Sequence, residues 1–157
     1  MQIKIILLIL VLILFIGVYF VLINLGHVIN RERLTTGQVI INNQVINVEI
    51  AQTTNQQIHG LSNRKSLEVN SGMLFIFPNL RIRNFWMKDM EFSLDIIWIK
   101  DDTIIDIEAN APIPFEKQEA LPIYKSPSEV NYVLEVNAGW AEENRVQIGD
   151  KVTFKLE

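Results

Sequence analysis

Nineteen consecutive residues, Ile5 to Ile23, carry no charge and are apolar apart from Gly17 and Tyr19. Lys4 is the only charged side chain before Arg31. As a helix this run covers roughly 29 Å at 1.5 Å per residue, close to the hydrocarbon thickness of a bilayer. A core helix would alternate with polar positions, and this run does not. It exceeds the hydrophobic region of about 7–15 residues found in cleaved signal peptides, and no A-x-A-like site follows it. The chain has no cysteine, which removes a lipid-modified N-terminal cysteine from consideration. The expectation is an uncleaved, single-pass transmembrane anchor over residues 1–26, a linker over 27–37 and one β-rich domain over 38–157. Lys4 and the terminal amine face Arg31 and Arg33 across the run, so the flanking charges do not orient it. A short tail before a large C-terminal domain places that domain on the extracytoplasmic side, with the membrane as its first partner.

Downstream of the linker the apolar pattern changes to period two. In "QVINVEIA", Ile46, Val48 and Ile50 alternate with Asn47 and Glu49. In "NYVLEVN", Tyr132, Leu134 and Val136 share a face and Glu135 lies opposite. "KVTFKLE" sets Val152, Phe154 and Leu156 against Lys151, Thr153 and Lys155. Such alternation predicts antiparallel strands with one buried and one wet face. "LDIIWIKDDTIIDIEA" predicts a hairpin turning at Asp101 and Asp102. Two short helices interrupt the strands. "TTNQQIHGLSN" carries a capping-box pattern from Thr54 to Gln57, and "AGWAEENRVQIGD" reads as a helical stretch that ends before Gly149. Residues 110–130 hold four of the five prolines; an aperiodic segment of this length is functional or disordered in most domains. The fold class is mainly β (α+β): an antiparallel, barrel-like or strongly curved sheet with two short helices, preceded by one transmembrane helix.

Four blocks carry a resemblance: "HGLSNRKSL", "GMLFIFP", "RNFWMKDMEFSLDIIWI" and "YVLEVNAGWAEENRVQIGD". In this order they resemble the family called domain of unknown function 192, over about residues 44–154. The resemblance implies a small, mostly β domain, often behind a signal peptide or an N-terminal anchor, with no established activity. Two positions depart from the family pattern. Asp89 and Met90 stand where Asn-Thr is common after "FWMK", and Ser62 replaces the methionine of "GLM". A site that uses the Asn-Thr pair is altered in this chain.

The stretch "NFWMKDMEFSLDIIWIK", residues 84–100, mixes aromatic, sulfur and charged side chains. Read as strands, it puts Phe85 and Met87 on one side and Trp86 and Lys88 on the other. Leu94, Ile96 and Trp98 share a face, and Asp95 opens the opposite, otherwise apolar face with Ile97 and Ile99. A carboxyl there is costly unless paired or hydrogen-bonded. Lys88, Arg83, Arg81 and Arg64 are the partners that composition offers, and backbone N–H groups at a turn are the structural alternative. The functional reading is a ligand pocket, apolar with a few placed polar groups: Phe85, Trp86, Met87 and Trp98 as walls, and Asp95, Lys88 and Arg83 as polar contacts. Residues 110–130, with Phe115, Leu121, Ile123 and Tyr124, would cover it.

Three functions are weighed on this basis. The first is a domain that binds a small amphipathic ligand or a peptide segment. The second is a hydrolase using His59 or Asp95 as general base, which needs the His59 side chain within hydrogen-bond reach of Ser62, Ser93 or Asp95; His59 with Asp95 or Glu135 is the pairing it allows. The third is an interaction module for envelope proteins. Zinc is not expected, because two histidines and no cysteine cannot build a site. Asp101, Asp102, Asp106 and Glu108 read as a solvated hairpin rather than a calcium loop. No cofactor is implied. With 14 basic against 18 acidic residues and no basic cluster, nucleic acid is not an expected partner.

Overall fold

The computed structural model describes residues 12–21, 34–115 and 121–156. It divides into two compact units, Met1–Arg33 and Leu34–Glu157. In the first, residues 12–21 form a helix, α1. Its ten described residues cover about 15 Å. Among the described residues no helix is long and apolar enough to cross a membrane. The expected transmembrane anchor is corrected accordingly, and with it the single-pass, extracytoplasmic placement. The rest of the expected anchor, residues 1–11 and 22–26, lies outside the described residues.

The second unit is built on β1 (Thr35–Ile41), β2 (Gln44–Ala51), α2 (Thr54–His59), β3 (Ser71–Arg81), β4 (Asn84–Trp86), β5 (Leu94–Lys100), β6 (Thr103–Ala111), β7 (Ile123–Lys125), β8 (Val130–Asn137), α3 (Trp140–Glu143) and β9 (Val152–Leu156). Seven strands form one sheet in the order β6-β5-β8-β3-β2-β1-β9, and β4 pairs with β7 in a second, two-stranded sheet. The expected hairpin forms, with β5 and β6 joined at Asp101 and Asp102 and Asp101 at φ 55°. The barrel-like or strongly curved sheet is corrected to an open one. Its edge strands β6 and β9 meet only at one end, through an isolated bridge from Thr103 to Lys151 just before β9 and neighbouring backbone bonds such as Val152 N–H to the Asp102 carbonyl at 2.8 Å, instead of a ladder. Nor is the sheet wholly antiparallel, because β2 and β3 run parallel. Parallel neighbours need a crossover connection, and the segment carrying α2 supplies it.

Helix α2 starts on a capping box one residue earlier than the spacing of Thr54 and Gln57 predicts. The Thr53 hydroxyl accepts from the Gln56 N–H at 3.3 Å, and the Gln56 side chain accepts from the Thr53 N–H at 3.0 Å. The second predicted helix shrinks to Trp140–Glu143, because Arg145 takes φ 54° and turns the chain out of helix.

Over β3, β5 and β8 both faces of the large sheet are covered, so the expected wet face is corrected for β8, while β2 and β9 keep theirs, with Asn47, Thr153 and Lys155 exposed. Ile46, Ile50, Leu74, Ile97, Ile99, Leu134 and Val136 pack with Trp140 and Ala141 of α3 on one side. Met73, Phe75, Met87, Ile96, Trp98 and Val133 pack with Leu61 on the other. β5 accordingly has six consecutive buried residues, Leu94 to Ile99.

Asp95 stands within that run and is fully buried. None of the basic side chains proposed for it is its partner. Its Oδ1 accepts from the backbone N–H of Asn110 at 2.9 Å and of Gly139 at 3.0 Å, and its Oδ2 from Ala141 N–H at 2.9 Å. Gly139 is the N-cap of α3 and provides no side-chain cap; Asp95 supplies it from another strand. Arg64, one of the proposed partners, instead pairs with Glu49 through two hydrogen bonds of 2.5 and 2.8 Å. That pair holds the Glu49 carboxyl below its ordinary range.

Asp95→Ala orphans three amides at once. It is expected to lower folding stability by about 3 kcal/mol, with Asp95→Asn losing roughly half as much because one acceptor remains. Urea unfolding checks this, and a loss below about 1 kcal/mol for Asp95→Ala would show that water replaces the carboxyl.

Candidate functional site

A cleft of about 480 Å³ opens on the face of the sheet that carries Phe75 and Glu135. One wall is the end of α2 and the turn after it, from Ile58 to Ser62. Gly60 permits this wall to close: its φ is 49°, and a Cβ there would stand 3.4 Å from the Phe75 ring. The other wall runs from Phe77 of β3 through Ile82 and Arg83 to Phe85 and Trp86 of β4. β7 adds Ile123, paired in register with Trp86.

Phe85 organises the aromatic wall. Its ring meets Phe75 at 4.8 Å, Phe77 at 6.5 Å and Trp98 at 5.5 Å, each edge to face. Such pairs contribute about 0.5–1.5 kcal/mol beyond area burial, so Phe85 is a rigid surface rather than a mobile flap. At the mouth, Trp86 is 50% exposed, Ile58 62% and Ile123 65%. Exposed apolar side chains rimming a concave site are the pattern of a binding cleft.

Arg83 is fixed from several sides. Its guanidinium carbon lies 3.9 Å from the centre of the Phe77 ring. Nη2 donates to the Asn79 carbonyl at 2.6 Å and to its side-chain oxygen at 2.8 Å. The backbone exchanges bonds with buried Ser126, at 2.9 Å to its hydroxyl and 3.0 Å from its N–H. Burial, with Arg81 nearby, lowers the Arg83 pKa from its usual value, and Nε is buried without a partner among the described residues.

Of the residues read from sequence as a site, Arg83, Phe85 and Trp86 line the cleft. Trp98 and Met87 are buried behind it, 1% exposed each, and Trp98 braces Phe85. Lys88 has an exposed side chain and contributes its carbonyl, which accepts from the Ser62 hydroxyl at 2.8 Å. Asp95 lies on the opposite face of the sheet. Ile123 comes from the segment expected to cover the site; residues 116–120 of that segment lie outside the described residues. His59 and Ser62 both line the cleft, yet among the described residues no hydrogen bond joins the His59 ring to Ser62, Ser93 or Asp95. The family-departing positions meet in space, for beside the Ser62 bond the Asn63 N–H donates to the Asp89 carbonyl at 2.7 Å. No group of His, Cys, Asp or Glu that could hold a metal ion occurs among the described residues.

The residue that period-two reasoning misplaced is Glu135. β8 puts it on the face opposite Leu134 and Val136, as the alternation says, but that face is core, and Glu135 is 5% exposed. Its neighbours in register are Met73 on β3 and Ile96 on β5. No donor among the described residues meets its carboxyl, and burial pushes its pKa up to about 8. The signal available in sequence was an acid inside "VLEV", flanked by branched apolar residues on both sides. A buried, perturbed carboxyl lining a cleft is the sort of group functional sites contain.

The pH dependence of stability follows from that burial. Below the unfolded value of 4.5 both states hold the proton. Between there and about 8 the unfolded chain releases it and the folded chain keeps it, so stability falls by up to about 1.4 kcal/mol per pH unit. Glu135→Gln removes this contribution. The variant is expected to gain on the wild type steadily as pH rises through that window, read from paired urea melts. Parallel profiles would show an ionised, solvated carboxyl.

The comparisons with known proteins agree with the fold. A protein from Sinorhizobium meliloti 1021, provisionally described as a transcription regulator, has a crystal structure similar to 80% of this chain and 98% of its own, with 30% identity and a TM-score of 0.71. A protein of unknown function from Novosphingobium aromaticivorans matches 79% of this chain and 89% of its own, at 28% identity and a TM-score of 0.71. No curated protein matches. The model of the DUF192 family, described as an uncharacterized ACR, matches residues 37–154. That span contains every strand of the cleft, and the chain belongs to the DUF192 family.

Proposed function

We propose that this domain binds a small amphipathic ligand, or a peptide segment that presents one, in the aromatic cleft. The observation that carries the reading is the combination of a concave aromatic wall with a sheltered polar group at its base. Phe75, Phe77 and Phe85 are held rigidly by one another, and Glu135 waits among them without a partner among the described residues. Core building alone does not call for a buried carboxyl with no donor, since an apolar residue of similar size avoids the desolvation penalty. The exposed rim of Trp86, Ile58 and Ile123 supports contact with an apolar body that extends past the mouth.

The hydrolase reading has less support. The Ser62 hydroxyl donates to a backbone carbonyl, and Asp95 is engaged by three amides on the other side of the sheet. A nucleophile activated by a base needs the two side chains within hydrogen-bond reach. Regulation of transcription by direct contact with DNA, suggested by the description of the Sinorhizobium meliloti protein, also finds little support in a chain of net charge −4.

Trp86 provides the test. Trp98 and Trp140 are buried, so a ligand entering the cleft changes the fluorescence of Trp86 above all. A panel of amphipathic small molecules and short peptides is expected to contain members that shift its emission. The same members should raise thermal stability, by about 2.7 kcal/mol at a hundred times the dissociation constant. Trp86→Ala is expected to weaken them about tenfold, a loss near 1.4 kcal/mol, with little change in melting temperature. A panel that moves neither signal would remove the binding reading.

A further inference from the structure

Most polar groups on the cleft wall are already engaged. Gln57 donates to the carbonyls of Ala51, Gln52 and Ile76, and Ser62 to that of Lys88. Arg83 is held by Asn79 and stacked on Phe77, with its free Nε buried. Thr54, His59 and Asn84 are exposed and can use water. Glu135 alone among the lining carboxyls, amides and hydroxyls is both more than nine-tenths buried and without a partner among the described residues.

The chemistry of that group selects its complement. A carboxylate ligand would set like charge against it. A hydroxyl would give one hydrogen bond and leave the desolvation of an ionised carboxyl uncompensated. A ligand ammonium supplies both N–H donors and the opposite charge, which favours the ionised carboxyl and offsets its burial. Aromatic rings beside it add to the attraction for a cation. We propose that the ligand is an organic amine whose protonated nitrogen meets the Glu135 carboxyl while its apolar or aromatic body lies against Phe75, Phe85 and Trp86. This inference rests on the reading of the cleft as a ligand site.

A proton balance follows. Glu135 holds its proton up to about pH 8 in the empty cleft, so binding an ammonium below that pH releases it. The apparent affinity then climbs about tenfold per pH unit until the carboxyl is ionised. Met73 and Ile96 flank Glu135 from the adjoining strands, and His59 and Arg83 are the other titratable groups on the lining. His59 stays in place in Glu135→Gln, so the difference between the two profiles belongs to Glu135.

The experiment is a titration of the full-length chain with three matched probes: phenethylamine, 2-phenylethanol and 3-phenylpropionate. Trp86 emission and calorimetry read the binding. Phenethylamine is expected to bind about tenfold or more tighter than the alcohol near pH 8, with affinity rising about tenfold per pH unit from about pH 6. Glu135→Gln is expected to erase both the preference and the slope. Equal binding of amine and alcohol, with Trp86 responding to both, would overturn the amine assignment and leave the cleft as a site of another ligand class. Preference for 3-phenylpropionate would overturn it too, and would transfer the ligand's polar end to Arg83. Silence from all three probes would also overturn it, and the cleft reading itself would fall only if the wider panel were silent as well. Should Glu135→Gln not fold, the wild-type pH slope decides by itself, and a flat profile for the amine overturns the inference.

Discussion

Three backbone N–H groups, from Asn110, Gly139 and Ala141, converge on the carboxyl of Asp95 in the middle of the protein's most buried strand. Much of the architecture hangs on this meeting. It ties β5 to the irregular end of β6, where Asn110 takes φ 56°. It also caps the first turn of α3, a helix too short to hold itself together. α3 in turn carries Trp140 and Ala141 into the core on that face of the sheet. An acid inside an apolar run is tolerable here because its hydrogen bonds replace water, and because the amides it serves would otherwise be orphaned by the same burial.

Glu135 presents the opposite case within one residue pair. Asp95 lies across from Val136, and Glu135 across from Ile96, on adjacent strands and opposite faces. Both acids are buried, yet one meets three donors and the other meets none among the described residues. The environment separates their roles. Asp95 is part of the frame, while Glu135 lines the cleft between α2 and β4. The open position is sustained by close packing around it. Gly72 lets β3 approach β8 so tightly that a Cβ there would stand 2.7 Å from the Glu135 carbonyl oxygen.

Much of this was legible in the chain itself. Period-two alternation located β2, β8 and β9, two adjacent aspartates located the β5–β6 turn, and Thr and Gln before the helix located α2 to within a residue. These are local properties, written in side-chain spacing and turn chemistry. For the apolar run near the N-terminus hydropathy predicts a full span, whereas among the described residues no helix is long and apolar enough to cross a membrane. The face assignments of Asp95 and Glu135 are correct as geometry, and so is the apolar setting of Asp95, whereas Glu135 lies on a covered face instead of a wet one, because alternation says which residues share a face and not what covers it.

By itself, then, the sequence determined that the domain is mainly β with short helices, which residues share each strand face, and that Arg83, Phe85 and Trp86 belong near one another. Tertiary structure alone decided that the sheet is open and is covered on both sides over β3, β5 and β8, that backbone amides and not basic side chains are the partners of Asp95, and that Trp98 and Met87 stand behind the cleft instead of in it. It also decided that Glu135 sits at the cleft's base. The physical reason is that strand periodicity and turns are set by neighbours along the chain, whereas burial, hydrogen-bond partners and pKa are set by residues tens of positions away. Gly139 and Ala141 reach Asp95 across more than forty residues of chain, and no local pattern encodes that meeting.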